Sequence, residues 1–162
     1  MSLFCYIIGF TCSGKSTYGR WLAEQEKTEF LDLDEELEAR GGQSIAEIIS
    51  AGGMEYFRAL ETDILLRSAD LIVTPPQIYN PRFTAVIATG GGCVLSPLNR
   101  QHLKQIPSRV IFIDTPWETI YRRLCLSPRP LFQDKTQEEI RQEYQWRLPL
   151  YRECADEVVN PC

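Results

Sequence analysis

The residues Gly9 to Ser16 match the pattern G-x-x-x-x-G-K-[ST], which is typical of a loop that binds phosphate groups. The pattern is informative only between a strand and a helix. An apolar run, Leu3 to Ile8, precedes the loop, and a polar, helix-compatible segment, Thr17 to Glu26, follows it. The required context is therefore present, and we interpret the segment as a phosphate-binding loop.

The residue types within this loop predict how it would hold a nucleotide. Gly9 and Gly14 let consecutive backbone N–H groups and the positive helix end converge on a β-phosphate. Lys15 is expected to reach the β- and γ-phosphate oxygens, and the Ser16 hydroxyl is expected to bind Mg²⁺. The residues assigned to nucleotide binding in the loop are Gly9, Cys12, Ser13, Gly14, Lys15, Ser16 and Thr17.

Two carboxylates, Asp32 and Asp34, lie at the end of the second apolar run. In a parallel sheet that run would end beside the phosphate-binding loop. Asp32 at the strand tip is suited to the Mg²⁺ shell, and Asp34, opening the next helix, is suited to orient and deprotonate an acceptor hydroxyl. The alternative for Asp34 is a helix N-cap before Glu35 and Glu36.

Two further motifs predict contacts with a ligand, an arginine–glutamate pair and a run of three glycines. Arg58 and Glu61 are three residues apart on one predicted helical face, so the carboxylate can direct the guanidinium; the alternative is a solvated surface pair. Gly90, Gly91 and Gly92 directly follow the third apolar run. Three glycines there predict a close approach of the backbone to another group, with N–H groups that could bind substrate oxygens.

Two further arginines occur beside prolines. Ser127 to Phe132 contains Arg129 between two prolines, which predicts a stiff flap that brings Arg129 over the nucleotide phosphates and excludes water. The alternative is a plain connection between helices. Pro149 interrupts a long helical pattern, where a kink would aim Arg147 inward; alternatively Arg147 faces solvent.

Strand-like and helix-like segments alternate along the chain. This order predicts an α/β fold, with a parallel sheet between two helical layers, in a single domain over residues 1–162. Capping boxes at Ser44 to Glu47 and Thr136 to Glu139, and first-turn prolines Pro97 and Pro116, predict helix starts. Thr74 to Phe83, with three prolines, is expected to be a surface loop. The apolar runs are Leu3 to Ile8, Phe30 to Leu33, Ala85 to Ala88, Val110 to Ile113 and Val158 to Val159.

Composition narrows the function classes. The net charge of −5 and the lack of a basic run argue against nonspecific nucleic-acid binding. Six cysteines without a C-x-x-C pair, and a single histidine, argue against a zinc site. We expect the cysteines, including Cys125 and Cys154, to be small core residues in a reducing cytoplasm. The N-terminal apolar run is too short for a signal peptide or membrane span, so we expect a soluble protein that is not exported.

Taken in order, the motifs G-x-x-x-x-G-K-S, D-x-D, F-R-x-x-E, T-G-G-G, R-P-L and R-x-P-L-Y resemble those of the shikimate kinases. The similarity extends from about Leu3 to Val159. It implies a nucleoside monophosphate kinase-like fold with strand order 2-3-1-4-5, substrate-binding helices at about 34–67 and a mobile lid at about 127–135. The implied activity is the ATP- and Mg²⁺-dependent phosphorylation of the shikimate 3-hydroxyl in aromatic amino-acid biosynthesis, and we expect a monomer.

The resemblance also implies roles for individual residues. Asp34 would hold the reacting hydroxyls, Arg58 and Arg147 would clamp the shikimate carboxylate, and Gly90, Gly91 and Gly92 would add backbone contacts. Lys15 and Arg129 would stabilise the transferring phosphoryl group, and Asp32 would assist Ser16 with Mg²⁺. Arg123 would stack on adenine, with Arg122 as the alternative.

The sequence departs from the family pattern in three places. Cys12 replaces a third glycine of the loop, where a positive φ would strain it. The Thr74 to Phe83 loop is longer than usual. The sequence ends at Cys162, before the adenine-contacting loop and closing helix of relatives, so we expect either a trimmed chain or incomplete nucleotide binding. Two alternative functions remain: a kinase of another small acid such as gluconate, and a noncatalytic ATP-binding sensor.

Overall fold

The computed structural model describes residues 3–73, 81–105 and 107–161. Within these ranges, five strands form one sheet in which all paired neighbours are parallel, in the order β2-β3-β1-β4-β5. The strand order implied by the resemblance is therefore confirmed. The strands are β1 (Phe4–Ile8), β2 (Glu29–Asp32), β3 (Ala85–Ala88), β4 (Ser108–Ile113) and β5 (Glu157–Val159).

Helices connect the strands and cover both faces of the sheet. They are α1 (Lys15–Glu26), α2 (Leu33–Gly41), α3 (Ile45–Leu66), α4 (Pro97–Gln105), α5 (Trp117–Leu126) and α6 (Gln137–Cys154). Short 3₁₀ segments lie at Ser68–Leu71, Cys93–Leu95 and Pro130–Phe132. None of the helices in the described part of the chain has the length and apolar character that a bilayer span requires.

The central strand β1 is buried on both faces because its side chains alternate between two cores. Cys5 and Ile7 pack with Leu22 of α1, whereas Tyr6 and Ile8 pack with residues of the helices on the opposite face. This arrangement confirms the predicted α/β architecture with helices on both sides of the sheet. It also places the carboxyl ends of β1, β2 and β3 at one edge, next to the start of α1.

Local signals set the helix starts. Ser44 and Thr136 each form a complete capping box, with Glu47 and Glu139 respectively, as predicted. Pro97 is the first residue of α4, also as predicted. Pro116 is the N-cap of α5 rather than a first-turn residue, so its predicted position is wrong by one residue.

The helix α3 contains a break that the sequence pattern did not reveal. Gly53 has φ 83° and ψ 176°, so two helical segments meet there at a sharp change of direction. Only glycine adopts this backbone region readily. The first segment packs near α2, and the second carries Arg58 and Glu61 toward the sheet.

Two expectations about individual side chains need correction. Cys125 is exposed, because it lies on the outer side of α5, whereas Cys5, Cys93 and Cys154 are buried as free thiols. Phe83, the end of the expected surface loop, is buried and belongs to the core beside α1. Residues 74–80 of that loop and Cys162 lie outside the described residues.

Candidate active site

The phosphate-binding loop joins β1 to α1, and α1 begins at Lys15. Lys15 Nζ donates hydrogen bonds to the carbonyl oxygens of Gly9 at 3.0 Å and Phe10 at 2.9 Å. The lysine thus folds back over its own loop. Burial lowers the pKa of Lys15, while the nearby Asp34 carboxylate opposes that shift. An anionic ligand would meet a preformed ammonium group at this position.

Cys12 adopts the left-handed conformation, with φ 59°, so the condition under which the sequence analysis expects strain at Cys12 is met. A residue with a side chain is disfavoured in this backbone conformation. Gly14, two residues later, also has a positive φ, of 96°, but glycine adopts it with little strain because it has no side chain. Arg123 Nη1 donates to the Cys12 carbonyl oxygen at 2.9 Å. Arg123 therefore lies on the phosphate-binding loop and lines the adjoining cavity, while Arg122 is exposed and is not part of the described lining.

Asp32 has two structural tasks at the tip of β2. Its Oδ1 accepts hydrogen bonds from the backbone N–H groups of Asp34 and Glu35, at 3.0 and 3.2 Å, so Asp32 is the N-cap of α2. Its Oδ2 accepts a hydrogen bond from the Ser16 hydroxyl. The alternative that Asp34 caps this helix is therefore wrong, since Asp32 occupies that position.

The paired Ser16 hydroxyl and Asp32 carboxylate fit a Mg²⁺ ion that nucleotide phosphates also coordinate. Mg²⁺ takes hard oxygen ligands and usually keeps several waters, so one or two protein oxygens suffice. No cluster of three or more His, Cys, Asp or Glu residues suited to a metal occurs in the described ranges. A site of this kind would depend on the nucleotide rather than on a cage of protein ligands.

Asp34 lies in an unusual electrostatic environment. Burial, and then the neighbouring carboxylates Glu61 and Asp32, raise the pKa of Asp34 from 3.8 to about 7, while Lys15 acts in the opposite direction. A carboxyl group with a pKa near neutrality can accept a proton from a hydroxyl and release it again. The geometry and the pKa both suit the predicted base.

The three glycines after β3 form a wall that other site residues press against. A side chain at Gly90 would lie 2.4 Å from Glu61 Oε2 and 3.0 Å from Asp34 Oδ1. A side chain at Gly91 would lie 2.9 Å from the Thr11 backbone nitrogen. These approaches are closer than real side chains make, so the predicted close approach is present at each glycine.

Arg58 completes this wall on the α3 side. A side chain at Gly92 would lie 2.1 Å from Arg58 Nη1, so the guanidinium rests directly on that glycine. Arg58 Nη1 donates to Glu61 Oε1 at 2.8 Å, and the two side chains are only 24% and 7% exposed. The pair is therefore not a solvated surface pair, and Glu61 directs Arg58 as predicted.

Arg147 is buried, with 5% of the residue exposed. Its guanidinium carbon lies 5.2 Å from the centre of the Phe10 ring, and its Nη2 donates to Glu143 Oε2 at 2.9 Å. The alternative of a solvent-facing cation is thus excluded. The helix α6 continues through Pro149 to Cys154 without interruption in its assigned range. One turn after Arg147, the Tyr151 hydroxyl donates to the Gly91 carbonyl oxygen, which connects α6 to the glycine wall.

A cavity of about 1230 Å³ lies beside the phosphate-binding loop, Asp34 and Arg129. That volume exceeds the range of about 300–1,000 Å³ that is usual for one drug-sized ligand, so the cavity has room for a nucleotide. The lining found among the described residues does not include five of the predicted residues, which are Gly9, Arg58, Gly90, Gly92 and Arg147. The predicted residues that line the cavity are Cys12, Ser13, Gly14, Lys15, Ser16, Thr17, Asp32, Asp34, Gly91, Arg123 and Arg129.

The segment expected to form the lid is exposed except at one anchor. Arg129 lines the cavity and is exposed, as a residue that approaches phosphates from above would be. Phe132 is buried, and its ring centre lies 5.5 Å from that of Phe10. The expected lid is therefore fixed to the core at Phe132, and its exposed part before that residue is Ser127 to Pro130.

Sequence reasoning missed three residues that support this site. Thr115 lies two residues after the end of β4 and donates to the Ser13 carbonyl oxygen at 2.6 Å, and the Tyr144 hydroxyl donates to the Thr115 carbonyl oxygen at 3.2 Å. Glu143 holds Arg147. The signal for Thr115 was its position at the carboxyl end of a strand, and the signal for Glu143 was its spacing of four residues from Arg147.

The site combines a phosphate-binding loop with the nearby Asp34 carboxylate and the buried arginines Arg58 and Arg147. Together with the parallel sheet in the order β2-β3-β1-β4-β5, these features define a P-loop kinase of small molecules. The shikimate kinase family model matches residues 11–161. The chain therefore belongs to the shikimate kinase family, whose members transfer phosphate from ATP, with Mg²⁺, to a hydroxyl group of shikimate.

Individual relatives agree with the family match. The chain is 37% identical to a shikimate kinase of Paracidovorax citrulli over 161 residues, which are 98% of this chain and 82% of that protein. It is 34% identical to a bifunctional shikimate kinase/3-dehydroquinate synthase of Thermotoga maritima, over 91% of this chain but 27% of that protein. Among solved structures, shikimate kinase from Acinetobacter baumannii in complex with shikimate superposes with a TM-score of 0.86 at 34% identity, covering 100% of this chain and 85% of that chain.

Proposed function

We propose that Asp34 is the base through which this kinase phosphorylates the 3-hydroxyl of shikimate. The observation that carries the proposal is the position of Asp34, which approaches Gly90 beside Glu61, interacts with Lys15 and has a pKa raised to about 7. A base with this pKa is partly ionised at neutral pH and can still hold the proton that the hydroxyl releases.

The nucleotide end of the site supports in-line transfer. The loop from Gly9 to Thr17 would bind the phosphates, and the Lys15 ammonium would stabilise charge that develops on the transferring group. Ser16 and Asp32 would hold Mg²⁺, which neutralises charge on the phosphate oxygens when it is bound. Arg129 would approach the same oxygens from the segment 127–135, and Arg123 would lie beside the adenine base.

The acceptor end is suited to a small carboxylic acid. Arg58 and Arg147 form ion pairs with Glu61 and Glu143 respectively. Arg58 also lies against Gly92, and Arg147 lies against the Phe10 ring. We assign the two guanidinium groups to the shikimate carboxylate, with Gly90, Gly91 and Gly92 as the backbone surface beneath it. The helices at about 34–67 would carry Asp34 and Arg58 of this half of the site, within a single domain over residues 1–162.

Two further properties belong to the proposal. We expect the chain to act as a monomer in a reducing cytoplasm without nucleic-acid or membrane partners. Its net charge is −5, and the five cysteines of the described ranges are free. Size-exclusion chromatography with light scattering would test the monomer, and a mass of about 18.6 kDa is the expected result.

The direct test measures ADP release by the chain with ATP and Mg²⁺ and with shikimate, quinate or gluconate as acceptor. We expect release that depends on shikimate and is much slower with the other two acids. Asp34→Ala should lower kcat about 10²–10⁴-fold and leave the Kd for ATP nearly unchanged, because the carboxylate acts on the acceptor. Preference for gluconate would favour the alternative kinase, nucleotide binding without any turnover would favour the sensor, and equal loss of turnover and ATP affinity would contradict the role of Asp34.

A further inference from the structure

Glu143 occupies a position that the transfer reaction itself does not explain. It lies on α6, one turn before Arg147, and each of its carboxylate oxygens contacts a different cation. Oε2 accepts from Arg147 Nη2 at 2.9 Å, and Oε1 forms an ion pair with Lys135 Nζ. Glu143 therefore joins a buried arginine of the acceptor site to the residue that ends the expected lid.

The contacts around Glu143 close into a ring. Lys135 Nζ lies 5.6 Å from the centre of the Phe132 ring, the Phe132 and Phe10 ring centres are 5.5 Å apart, and Arg147 lies 5.2 Å from the Phe10 ring. Phe10 belongs to the phosphate-binding loop, and its carbonyl oxygen accepts from Lys15. The ring thus connects the lid base, the phosphate-binding loop and the acceptor site through five side chains in contact.

The charges in this ring favour a carboxylate ligand. Glu143 alone would neutralise Arg147, and a neutral pair attracts an incoming carboxylate weakly. Lys135 offsets that effect, because Lys135, Glu143 and Arg147 together carry one net positive charge. Arg147 Nε is also buried without a hydrogen-bond partner in the described structure. A buried N–H without a partner is costly, so a ligand oxygen that accepted a hydrogen bond from Arg147 Nε would remove that cost.

We propose that Glu143, held by Lys135 at the base of the lid, is the positioning residue that orients the Arg147 guanidinium toward the carboxylate of the acceptor substrate. The proposal rests on the proposed function, because it assumes that Arg147 binds that carboxylate. Glu143 itself touches neither substrate. Glu143 affects the binding of the acceptor substrate by fixing the direction of the Arg147 guanidinium.

Two variants of Glu143 separate the orientation of Arg147 from the negative charge of the carboxylate. Glu143→Ala removes both contacts and should raise the KM for shikimate about tenfold, with kcat and the KM for ATP changed less than about twofold. Glu143→Gln keeps an oxygen that accepts a hydrogen bond from Arg147, so it should raise the KM for shikimate only about threefold. Lys135→Met should raise the KM for shikimate about threefold when Glu143 is present. In the Glu143→Ala background it should raise this KM little further, because Lys135 acts through Glu143.

A matched control is the ion pair between α6 and α4. Glu153 on α6, six residues after Arg147, forms an exposed ion pair with Lys104 on α4 at 2.9 Å. Glu153→Ala and Lys104→Met should leave all three kinetic constants within about twofold. As a second readout, methyl shikimate, whose ester carries no charge, should inhibit wild type and Glu143→Ala with similar inhibition constants, because Arg147 has no carboxylate to bind.

The results separate this inference from the proposed function. If the wild type shows no turnover with shikimate, both are overturned. If the wild type is active and Glu143→Ala keeps the KM for shikimate unchanged, Glu143 does not position Arg147, and a lowered KM would mean that Glu143 competes with the substrate for Arg147. If the KM values for shikimate and ATP and the inhibition constant of methyl shikimate all rise together, Glu143 has only a general structural role.

Discussion

At the scale of single residues, the site depends on side chains whose neighbours change their properties. Asp34 is the clearest case, since burial and two nearby carboxylates raise its pKa to about 7 although Lys15 opposes the shift. The sequence predicted Asp34 as a base and Asp32 as a strand-tip carboxylate. It could not decide which of the two caps α2, because that depends on where the strand ends, to within one residue.

The raised pKa of Asp34 predicts how stability varies with pH. The folded state keeps the Asp34 proton up to about pH 7, whereas the unfolded chain releases it near the ordinary value of 3.8. The free energy of unfolding therefore loses a contribution as pH rises through this window, and the loss is complete above it. Asp34→Asn cannot titrate, so at pH 8 it should be more stable than the wild type by on the order of 1–4 kcal/mol.

Urea unfolding without ligands at pH 4 and pH 8 measures this difference. At pH 4 the two proteins should differ much less, because the wild-type carboxyl is then protonated in the folded state. An equal difference at both pH values would mean that the gain has another cause than titration of Asp34.

Cys12 allows a second prediction at this scale. Its φ of 59° disfavours a side chain, so Cys12→Gly should raise the free energy of unfolding by up to about 1 kcal/mol, less what glycine adds to the entropy of the unfolded chain. Cys12→Val should lower it by about 1–2 kcal/mol, because a β-branched residue fits this conformation worst. Cys125→Val, at an exposed helical site, is the control and should change stability by about 0.5 kcal/mol or less. Thermal unfolding measures the stability of these variants. A Cys12→Val variant that is more stable than Cys12→Gly would contradict this account.

At the scale of elements, most boundaries could be predicted because their signals are local. The strands lie within about two residues of the apolar runs, and both capping boxes start the predicted helices. The break in α3 was not predicted, although Gly52 and Gly53 form a Gly-Gly pair, which is a local signal for a turn, because the residues on either side continue a helical pattern. The break matters because it directs the segment that carries Arg58 and Glu61.

The break predicts a specific cost of substitution. Gly53→Ala should lower the free energy of unfolding by about 1–3 kcal/mol, because φ 83° with ψ 176° is open almost only to glycine. Gly41→Ala is the matched control. It lies at the end of α2 with no atom near a new methyl group, so it should be neutral or stabilising by up to about 1 kcal/mol. Denaturant unfolding of both variants checks this prediction, and equal effects at the two sites would contradict it.

At the scale of the whole molecule, the alternation of strands and helices predicted the α/β class but not the strand order. Order depends on which parallel strands pair across the sheet, and here it followed from the resemblance to the shikimate kinases. The same limit applies to the site. Asp34, Gly91 and Arg147 are far apart in sequence, and only the fold shows that Tyr151, one turn after Arg147, binds the Gly91 carbonyl oxygen.

Long-range contacts also explain why the network around Arg147 was not visible beforehand. The spacing of four residues between Glu143 and Arg147 is a signal that the sequence analysis did not use, and their contacts with Lys135 and Phe10 join three separate parts of the chain. A single substitution in this network should consequently change substrate binding without changing the fold class or the sheet.

The central claim is that the acceptor and nucleotide halves meet across one cavity, between Asp34 and Lys15. A crystal structure of the chain with shikimate and a nonhydrolysable ATP analogue tests it most directly. We predict the shikimate carboxylate within hydrogen-bond distance of Arg58 and Arg147, the 3-hydroxyl at Asp34, and the γ-phosphate at Lys15. A carboxylate bound away from both arginines, or a 3-hydroxyl directed away from Asp34, would contradict the account.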